Sequence, residues 1–319
     1  MDRKLDLNSL EILRTLGTGA FGRVKLARFV ETGEFIAIKC LKKSHLIRSK
    51  QVDHVASEYN ILKMTHHSML VNLVGFTQDP SYLYFGLEFV PGGDLFTYLR
   101  KSGRFDNNQS VIYASQITLM FEYLHSMDII YRDLKPENLL IGIDGYLKLT
   151  DFGFAKVVAD RSYTLCGTPE YIAPEVLLNK GHSKPVDWWT LGVIIYEMIA
   201  GIDPFNDEDP MTIYKKILKC KYSFTRGFDR NAKSLVKHLL VVDLSKRYGN
   251  LKKGVDDIKN HKWFKSINWV QIVYKQAKMP YVPVIKNPGD TTHFLDYPES
   301  LTIGPQVREV LDPFLNWTK

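Results

Sequence analysis

Apolar and polar side chains intermingle over residues 10–16, which lead into a glycine-rich turn. Val24, Leu26 and Arg28 then alternate with Lys25 and Ala27, Thr32-Gly33 marks a second turn, and residues 35–41 are rich in apolar side chains. This spacing predicts strands across residues 10–41. Over residues 49–64 the period lengthens, and Val52, Val55, Tyr59 and Leu62 fall on one helical face. Two more strands are expected over residues 73–77 and 83–88, parted by Asp79-Pro80-Ser81. The first 90 residues therefore read as a mostly antiparallel sheet with one main helix.

Pro91-Gly92-Gly93 ends that pattern, and mainly helical sequence follows. Residues 110–126 read as one long amphipathic stretch. Residues 186–200 are apolar almost all round, as in a helix at the centre of a domain, so its Asp187 and Glu197 need partners. Beyond Phe264 prolines recur (Pro280, Pro283, Pro288, Pro298, Pro305, Pro313), which suggests a tail laid over the surface. The expected organisation is a short extension (1–9), a small lobe (10–89), a larger lobe (90–264) and a tail (265–319).

Composition narrows the class. The 319 residues are 45% hydrophobic, enough for a sizeable core, and carry a formal charge of +7. No dense Lys/Arg stripe accompanies that charge, so a solvated basic surface is favoured over nucleic-acid binding. Three scattered cysteines, Cys40, Cys166 and Cys220, form neither a disulfide framework nor a zinc motif. Met1-Asp2-Arg3-Lys4 shows no apolar signal region, Asp2 stands where N-myristoylation needs glycine, and no apolar run reaches about 18 residues. A soluble, reducing compartment without membrane insertion is expected, the cytoplasm and also the nucleus.

The chemistry-bearing motifs are more specific. Gly17-Thr18-Gly19-Ala20-Phe21-Gly22 is a GxGxxG, a pattern shared with dinucleotide-binding folds. There a helix must follow the glycines. Here a strand-like alternation follows, so the glycines cap a hairpin whose backbone can close over phosphates, or form a plain turn. Lys39 lies inside an apolar strand, and Glu58 on the next helix is its natural partner, with an ordinary exposed pair as the alternative. Tyr131-Arg132-Asp133-Leu134-Lys135-Pro136-Glu137-Asn138 places a carboxylate, a cation and an amide together. Asp133 can accept a proton from an attacking hydroxyl, Lys135 can neutralise a transferring phosphate, and Asn138 can ligate magnesium. Asp151-Phe152-Gly153 supplies a carboxylate that can chelate magnesium beside the Asn138 amide, and Ala173-Pro174-Glu175 completes the order of a protein-kinase signature.

With these motifs the sequence resembles the AGC group of protein kinases, and within it the catalytic subunits of cyclic-AMP-dependent protein kinase. Tyr-Arg-Asp in place of His-Arg-Asp, the run Thr164-Leu165-Cys166-Gly167-Thr168-Pro169-Glu170-Tyr171, the run from Lys246 through Gly254 and the tail run from Pro288 to Phe294 all carry the likeness, which spans nearly the whole chain. The implied fold is α+β and bilobal: a small antiparallel sheet lobe with one main helix, a larger mainly helical lobe, and a C-terminal tail wrapping the small lobe. The implied activity is transfer of the ATP γ-phosphate to serine or threonine with magnesium, two ions being expected.

Residue by residue, the resemblance assigns catalysis to Asp133, Lys135, Lys39 and Glu58, and metal binding to Asn138 and Asp151. It assigns ATP to Leu16, Gly17, Thr18, Gly19, Ala20, Phe21, Gly22, Val24, Ala37, Lys39, Leu87, Glu88, Val90, Leu140, Thr150 and Phe294. Thr164 matches an activation-loop phosphosite, gathered by His54, Arg132 and Lys156, with an idle surface histidine as the alternative for His54. Asp94, Glu137 and Glu197 match residues that bind substrate arginines, a structural ion pair being the alternative for Glu197. Leu165, Pro169 and Ile172 match a pocket for the residue after the acceptor. The implied substrates carry Arg-Arg-x-Ser/Thr-apolar, and the implied partners are a cyclic-nucleotide-binding regulatory subunit and pseudosubstrate inhibitors. Glu175 with Arg247 resembles a structural ion pair, and Asp187 is expected to hold loop backbone. A cyclic-GMP-dependent catalytic region and, distantly, a pseudokinase scaffold are the alternatives.

Three positions and one segment depart from the family. Asp94 is one methylene shorter than the usual Glu, Tyr163 replaces a tryptophan, and the long N-terminal helix of animal forms is nearly absent. Pro305 falls where a tail phosphosite is expected, with Thr302 or Ser300 as substitutes. The short head and the Trp317-bearing tail resemble protozoan forms.

Overall fold

The computed structural model describes residues 5–158, 162, 167–299 and 304–317. They pack as two compact units, one of the residues up to Gly93 together with those from Val284 on, the other Asp94–Pro283.

The first unit is built on five strands: β1 (Leu10–Gly19), β2 (Gly22–Phe29), β3 (Phe35–Lys42), β4 (Leu73–Gln78) and β5 (Tyr82–Glu88). They lie in the order β1-β2-β3-β5-β4 with antiparallel neighbours throughout. Helices α1 (Lys43–Arg48) and α2 (Val52–Met64) follow β3. The apolar period predicts α2; α1, at six residues, is too short to show one. Side chains alternate across the sheet, so the register sets Val24, Ala37, Lys39 and Leu87 on one face. On the other face Ala27, Ile36 and Ile38 form a core with Leu10 and Leu5. A Cβ on Gly86 would come within 3.1 Å of the Leu5 side chain, so glycine there lets Leu5 lie against the sheet.

The tail closes this unit, as the resemblance implies. Phe314 is buried, and Trp317 stacks on Tyr59 with centroids 5.4 Å apart. Gln78 donates to the Phe314 carbonyl at 2.9 Å, and Ser81 Oγ to that of Gly304 at 2.9 Å. Lys43 Nζ meets Asp312 Oδ2 at 2.6 Å, with both side chains buried.

The second unit contains α3 (Leu95–Ser102), α4 (Asn107–Ser126), β6 (Ile129–Ile130), β7 (Leu139–Ile141), β8 (Leu147–Leu149), β9 (Lys156–Val157), α5 (Pro174–Leu177), α6 (Pro185–Ala200), α7 (Pro210–Leu218), α8 (Arg230–Leu239), α9 (Asp256–Lys259) and α10 (Trp269–Val273). Helix α6 is buried from Pro185 to Ile199, as its apolar run predicts, and α4 and α8 pack on it. The amphipathic reading of residues 110–126 is corrected: α4 is buried on nearly every side, including Ser110, Ser115, Gln116 and Thr118. Those polar groups bond inside the core: Thr118 Oγ1 donates to the Ala114 carbonyl one turn back, and Gln116 Oε1 accepts from the Leu147 N–H on β8, so they imitate a solvent face without being one. Fully buried Arg247 forms a two-pronged pair with Glu175 at 2.6 and 2.9 Å and donates to the Pro185 carbonyl at 3.0 Å. Among the described residues no helix is long and apolar enough to cross a membrane.

Candidate functional site

In the first unit the site residues belong to the sheet and α2. Lys39 Nζ lies 2.6 Å from Glu58 Oε1, and the Glu58 side chain is only 4% exposed. A lysine inside an apolar strand thus has the helix carboxylate the sequence suggested. Val24 and Ala37 flank Lys39 on the same face, and Leu16, Leu87 and Val90 are buried. Glu88 accepts from Asn72 Nδ2 at 3.2 Å, and Phe294 stacks on Phe89 at 5.9 Å.

The hairpin turn consists of Ala20 and Phe21, and Thr18 pairs with Arg23 beside it. The three motif glycines divide sharply. A Cβ on Gly22 would sit 1.8 Å from the Cys40 carbonyl oxygen, so the fold itself requires that glycine. Gly17 and Gly19 have nothing within 4 Å of an added Cβ. Packing gives no reason for glycine at these two, and the bare backbone there would admit the close approach of an anion.

In the second unit Asp187 organises the loop over residues 131–138. Fully buried, it accepts the N–H groups of Tyr131 at 3.0 Å and Arg132 at 2.8 Å and bonds His125 Nε2 at 2.7 Å. Arg132 and Asp151 both adopt left-handed backbone, φ +70° and +58°, which non-glycine residues hold only when their surroundings enforce it. Asp133 Oδ2 is 3.0 Å from Lys135 Nζ and accepts from Asn138 Nδ2 at 2.9 Å. Burial pushes the Asp133 carboxyl above the usual range, and Lys135 opposes that shift. Thr168 Oγ1 accepts from Lys135 at 3.2 Å and donates to Asp133 Oδ1 at 3.5 Å. The sequence reading passed over Thr168; its only signal was its place between Gly167 and Pro169. Thr150 donates its N–H to the Asn138 carbonyl at 3.0 Å, and Leu140 bridges Asp94 through backbone.

Magnesium needs oxygen donors, and the residues present fit it. Asn138 Nδ2 donates to both the carbonyl and the carboxylate of Asp133 at 2.9 Å, which turns its amide oxygen the other way. Asp151 adds an exposed carboxylate. Two such ligands suit a hard ion that completes its shell with waters and phosphate oxygens. Among the described residues no cluster of three or more His, Cys, Asp or Glu forms a self-sufficient cage.

The expected arginine-binding carboxylates differ in character. Glu197 is fully buried, 2.6 Å from Arg100 Nη2, and accepts the Tyr171 hydroxyl at 2.5 Å. Burial raises its carboxyl. Asp94 caps α3, accepting the N–H and hydroxyl of Thr97 at 2.7 and 3.0 Å. Glu137 lies exposed on the turn Pro136–Asn138. Pro169 opens the turn Pro169–Tyr171, and Ile172 is buried behind it. Thr164, Leu165, Tyr163, Cys166, Ser300 and Thr302 lie outside the described residues. Of the expected phosphate ligands, Arg132 donates to the Phe154 carbonyl at 2.7 Å and Ser162 Oγ at 3.0 Å. Lys156 is exposed on β9, and in the first unit His54 bonds Gln51 Oε1 at 2.6 Å.

Comparison with known proteins follows the same lines. The family model of the protein kinase domain matches residues 10–264. The chain is 52% identical over 297 residues to "cAMP-dependent protein kinase catalytic subunit 3" of Drosophila melanogaster, covering 93% of this chain and 51% of that protein. It is 49% identical to "cAMP-dependent protein kinase catalytic subunit PRKX" of Mus musculus, covering 92% and 83% respectively. To the "cAMP-dependent protein kinase catalytic subunit" of Dictyostelium discoideum it is 47% identical, covering 98% and 48%. The chain thus spans about half the length of the fly and Dictyostelium relatives.

Proposed function

The chain belongs to the protein kinase family, among AGC kinases of the cAMP-dependent catalytic-subunit type, and from that premise we propose that it transfers the ATP γ-phosphate to serine or threonine in Arg-Arg-x-Ser/Thr-apolar sequences. Kinases of this family use ATP and magnesium. The observation that carries the proposal is the Asp133 carboxylate, buried yet bonded to Lys135 and Asn138. Such a carboxylate orients an acceptor hydroxyl and takes its proton. Lys135 offsets charge on the transferring group, and Thr168 links the two side chains. Lys39, oriented by Glu58, holds the α- and β-phosphates, over which the backbone of Gly17 and Gly19 closes. Magnesium held by Asn138 and Asp151, two ions in this reading, supplies charge neutralisation on the phosphates. In this proposal the first unit offers adenine the apolar side chains of Leu16, Val24, Ala37, Leu87 and Val90 and the backbone of Glu88 and Val90, and the second unit offers Leu140 and Thr150.

Substrate choice is assigned to Glu197, Glu137 and Asp94; the niche of Glu197 is shaped for a guanidinium, but Arg100 and Tyr171 engage its two oxygens, so a substrate arginine must share or displace Arg100 there. Glu137 contributes from the rim, and Asp94 more weakly, since Thr97 engages both its oxygens. Thr164 is the proposed activating phosphosite. A cyclic-nucleotide-binding regulatory subunit is the proposed inhibitor, in the cytoplasm and nucleus.

The test is transfer of labelled phosphate to an Arg-Arg-x-Ser-apolar peptide. Asp133→Asn should lower kcat by about 10²- to 10⁴-fold while ATP affinity by calorimetry stays unchanged. The raised carboxyl fixes the sign of the pH dependence. Asp133 works when ionised, so activity falls as pH drops through its value, and that fall begins above the usual carboxylate value of about 4. Full turnover by Asp133→Asn would remove the base from its role. Indifference to replacing both arginines by alanine would remove the specificity. Recovery of no cyclic-AMP-released partner from native lysate would remove the regulatory reading.

A further inference from the structure

The glycine hairpin lies at the open side of its sheet, because β1 is an edge strand. Its pairing with β2 is irregular where the glycines begin: the register shifts between Ile12 and Thr15 and again between Thr15 and Gly17. Two irregularities flanking one residue loosen the ladder there, and an edge strand has no second neighbour to restrain it.

At that point the tail supplies the missing restraint. The buried N–H of Thr15 donates to Glu299 Oε1, and Glu299 Oε2 lies 2.8 Å from Lys25 Nζ on β2. Thr15 and Lys25 are the paired residues between the two shifts. One carboxylate therefore bridges both strands of the hairpin at its irregular rung. Neighbouring contacts point the same way: Arg14 donates to Thr291 Oγ1 at 3.2 Å and to the Leu295 carbonyl at 2.6 Å, and Arg23 to the Pro298 carbonyl at 2.6 Å. Both oxygens of Glu299 are engaged, which holds its carboxyl down at about 2.

We propose that Glu299 is a positioning residue for the nucleotide: it sets the glycine hairpin by clamping Thr15 and Lys25 from the tail. This rests on the nucleotide-binding reading of the hairpin above. The clamp acts through backbone one to two residues from Leu16 and Gly17, so it bears on ATP binding and not on the acceptor. A carboxylate bridging two strands through partly exposed groups is a modest restraint, suited to a hairpin that must open to admit its ligand.

The test uses the full chain with Glu299→Ala, Glu299→Gln and Lys25→Met. Amide hydrogen exchange over residues 12–26 reads the clamp without any reference to activity. Glu299→Ala should speed exchange of Thr15 and the turn, and raise the KM for ATP about tenfold with kcat changed less than about twofold. Glu299→Gln keeps an acceptor for Thr15 but loses the charge paired with Lys25, so it should fall between. Lys25→Met should add little to Glu299→Gln, since both remove one interaction. Unchanged exchange in Glu299→Ala would overturn the clamp. Faster exchange with an unchanged KM for ATP would overturn the positioning role. If the unaltered chain binds no ATP, the functional reading fails, while the exchange result still decides the clamp.

Discussion

The loop over residues 131–138 and the glycine hairpin both approach phosphate in the proposed reaction, yet they are held in opposite ways. The loop is anchored from within: Asp187, fully buried, takes two of its N–H groups, and Asp133 is fixed by Lys135, Asn138 and Thr168. The hairpin is anchored from outside, at an edge strand with shifted register, by a tail carboxylate that remains 42% exposed. Buried polar networks rigidify because any broken bond strands a group in a dry interior. Half-exposed contacts exchange with water and restrain only weakly. A proton acceptor needs the first kind of support, since a small misplacement ruins transfer. A flap that admits and releases nucleotide needs the second.

The harshest way to break this comparison is Asp187→Ala. It strands the N–H groups of Tyr131 and Arg132 and the ring of His125, and should lower unfolding free energy by about 3–5 kcal/mol. Denaturant titration reads the effect. A loss under about 1 kcal/mol would show that the loop is not held by that carboxylate.

The glycines sharpen the contrast inside the hairpin itself. Gly22→Ala drives a methyl into the Cys40 carbonyl and should destabilise by about 1–3 kcal/mol or more. Gly17→Ala and Gly19→Ala meet no atom, so thermal stability should hold or rise by up to about 1 kcal/mol while ATP affinity falls. Equal stability losses at all three would mean that the glycines serve the fold alone.

What the sequence made legible follows from the same physics. The strands and α2 stood out by their apolar periods, and α6 by an apolar run that leaves almost no polar face. Asp187, Glu197 and Lys39 stood out because a charge amid apolar neighbours demands a partner. Arg100, Tyr171, Thr168 and Glu299 did not, because each is a single ordinary polar residue whose partner lies far along the chain. Glu299 is 284 residues from Thr15, and no local spacing encodes that meeting. Lys43 with Asp312 is a second such case, a buried pair 269 residues apart that reads in sequence as two surface charges. Helix α4 misled for the converse reason: its serines, threonine and glutamine bond within the core, and a pattern of polar letters does not say where the hydrogen bonds go.

The smallest expected effect separates two roles that the sequence merged at Asp94. As a specificity residue its charge matters; as the cap of α3 only its acceptor oxygens matter. Asp94→Ala should cost about 1 kcal/mol of stability by leaving the Thr97 N–H without its side-chain acceptor. Asp94→Asn caps about as well, so stability should stay within about 0.5 kcal/mol. If Asp94 also meets a substrate arginine, Asp94→Asn should raise the KM for the Arg-Arg peptide while the melting temperature holds. If it is only a cap, the KM stays put and arginine selection falls to Glu197 and Glu137. Asp94→Glu completes the set. Its longer side chain keeps the charge but fits the cap less well, so stability should fall while the KM for the Arg-Arg peptide holds if charge is what the substrate reads.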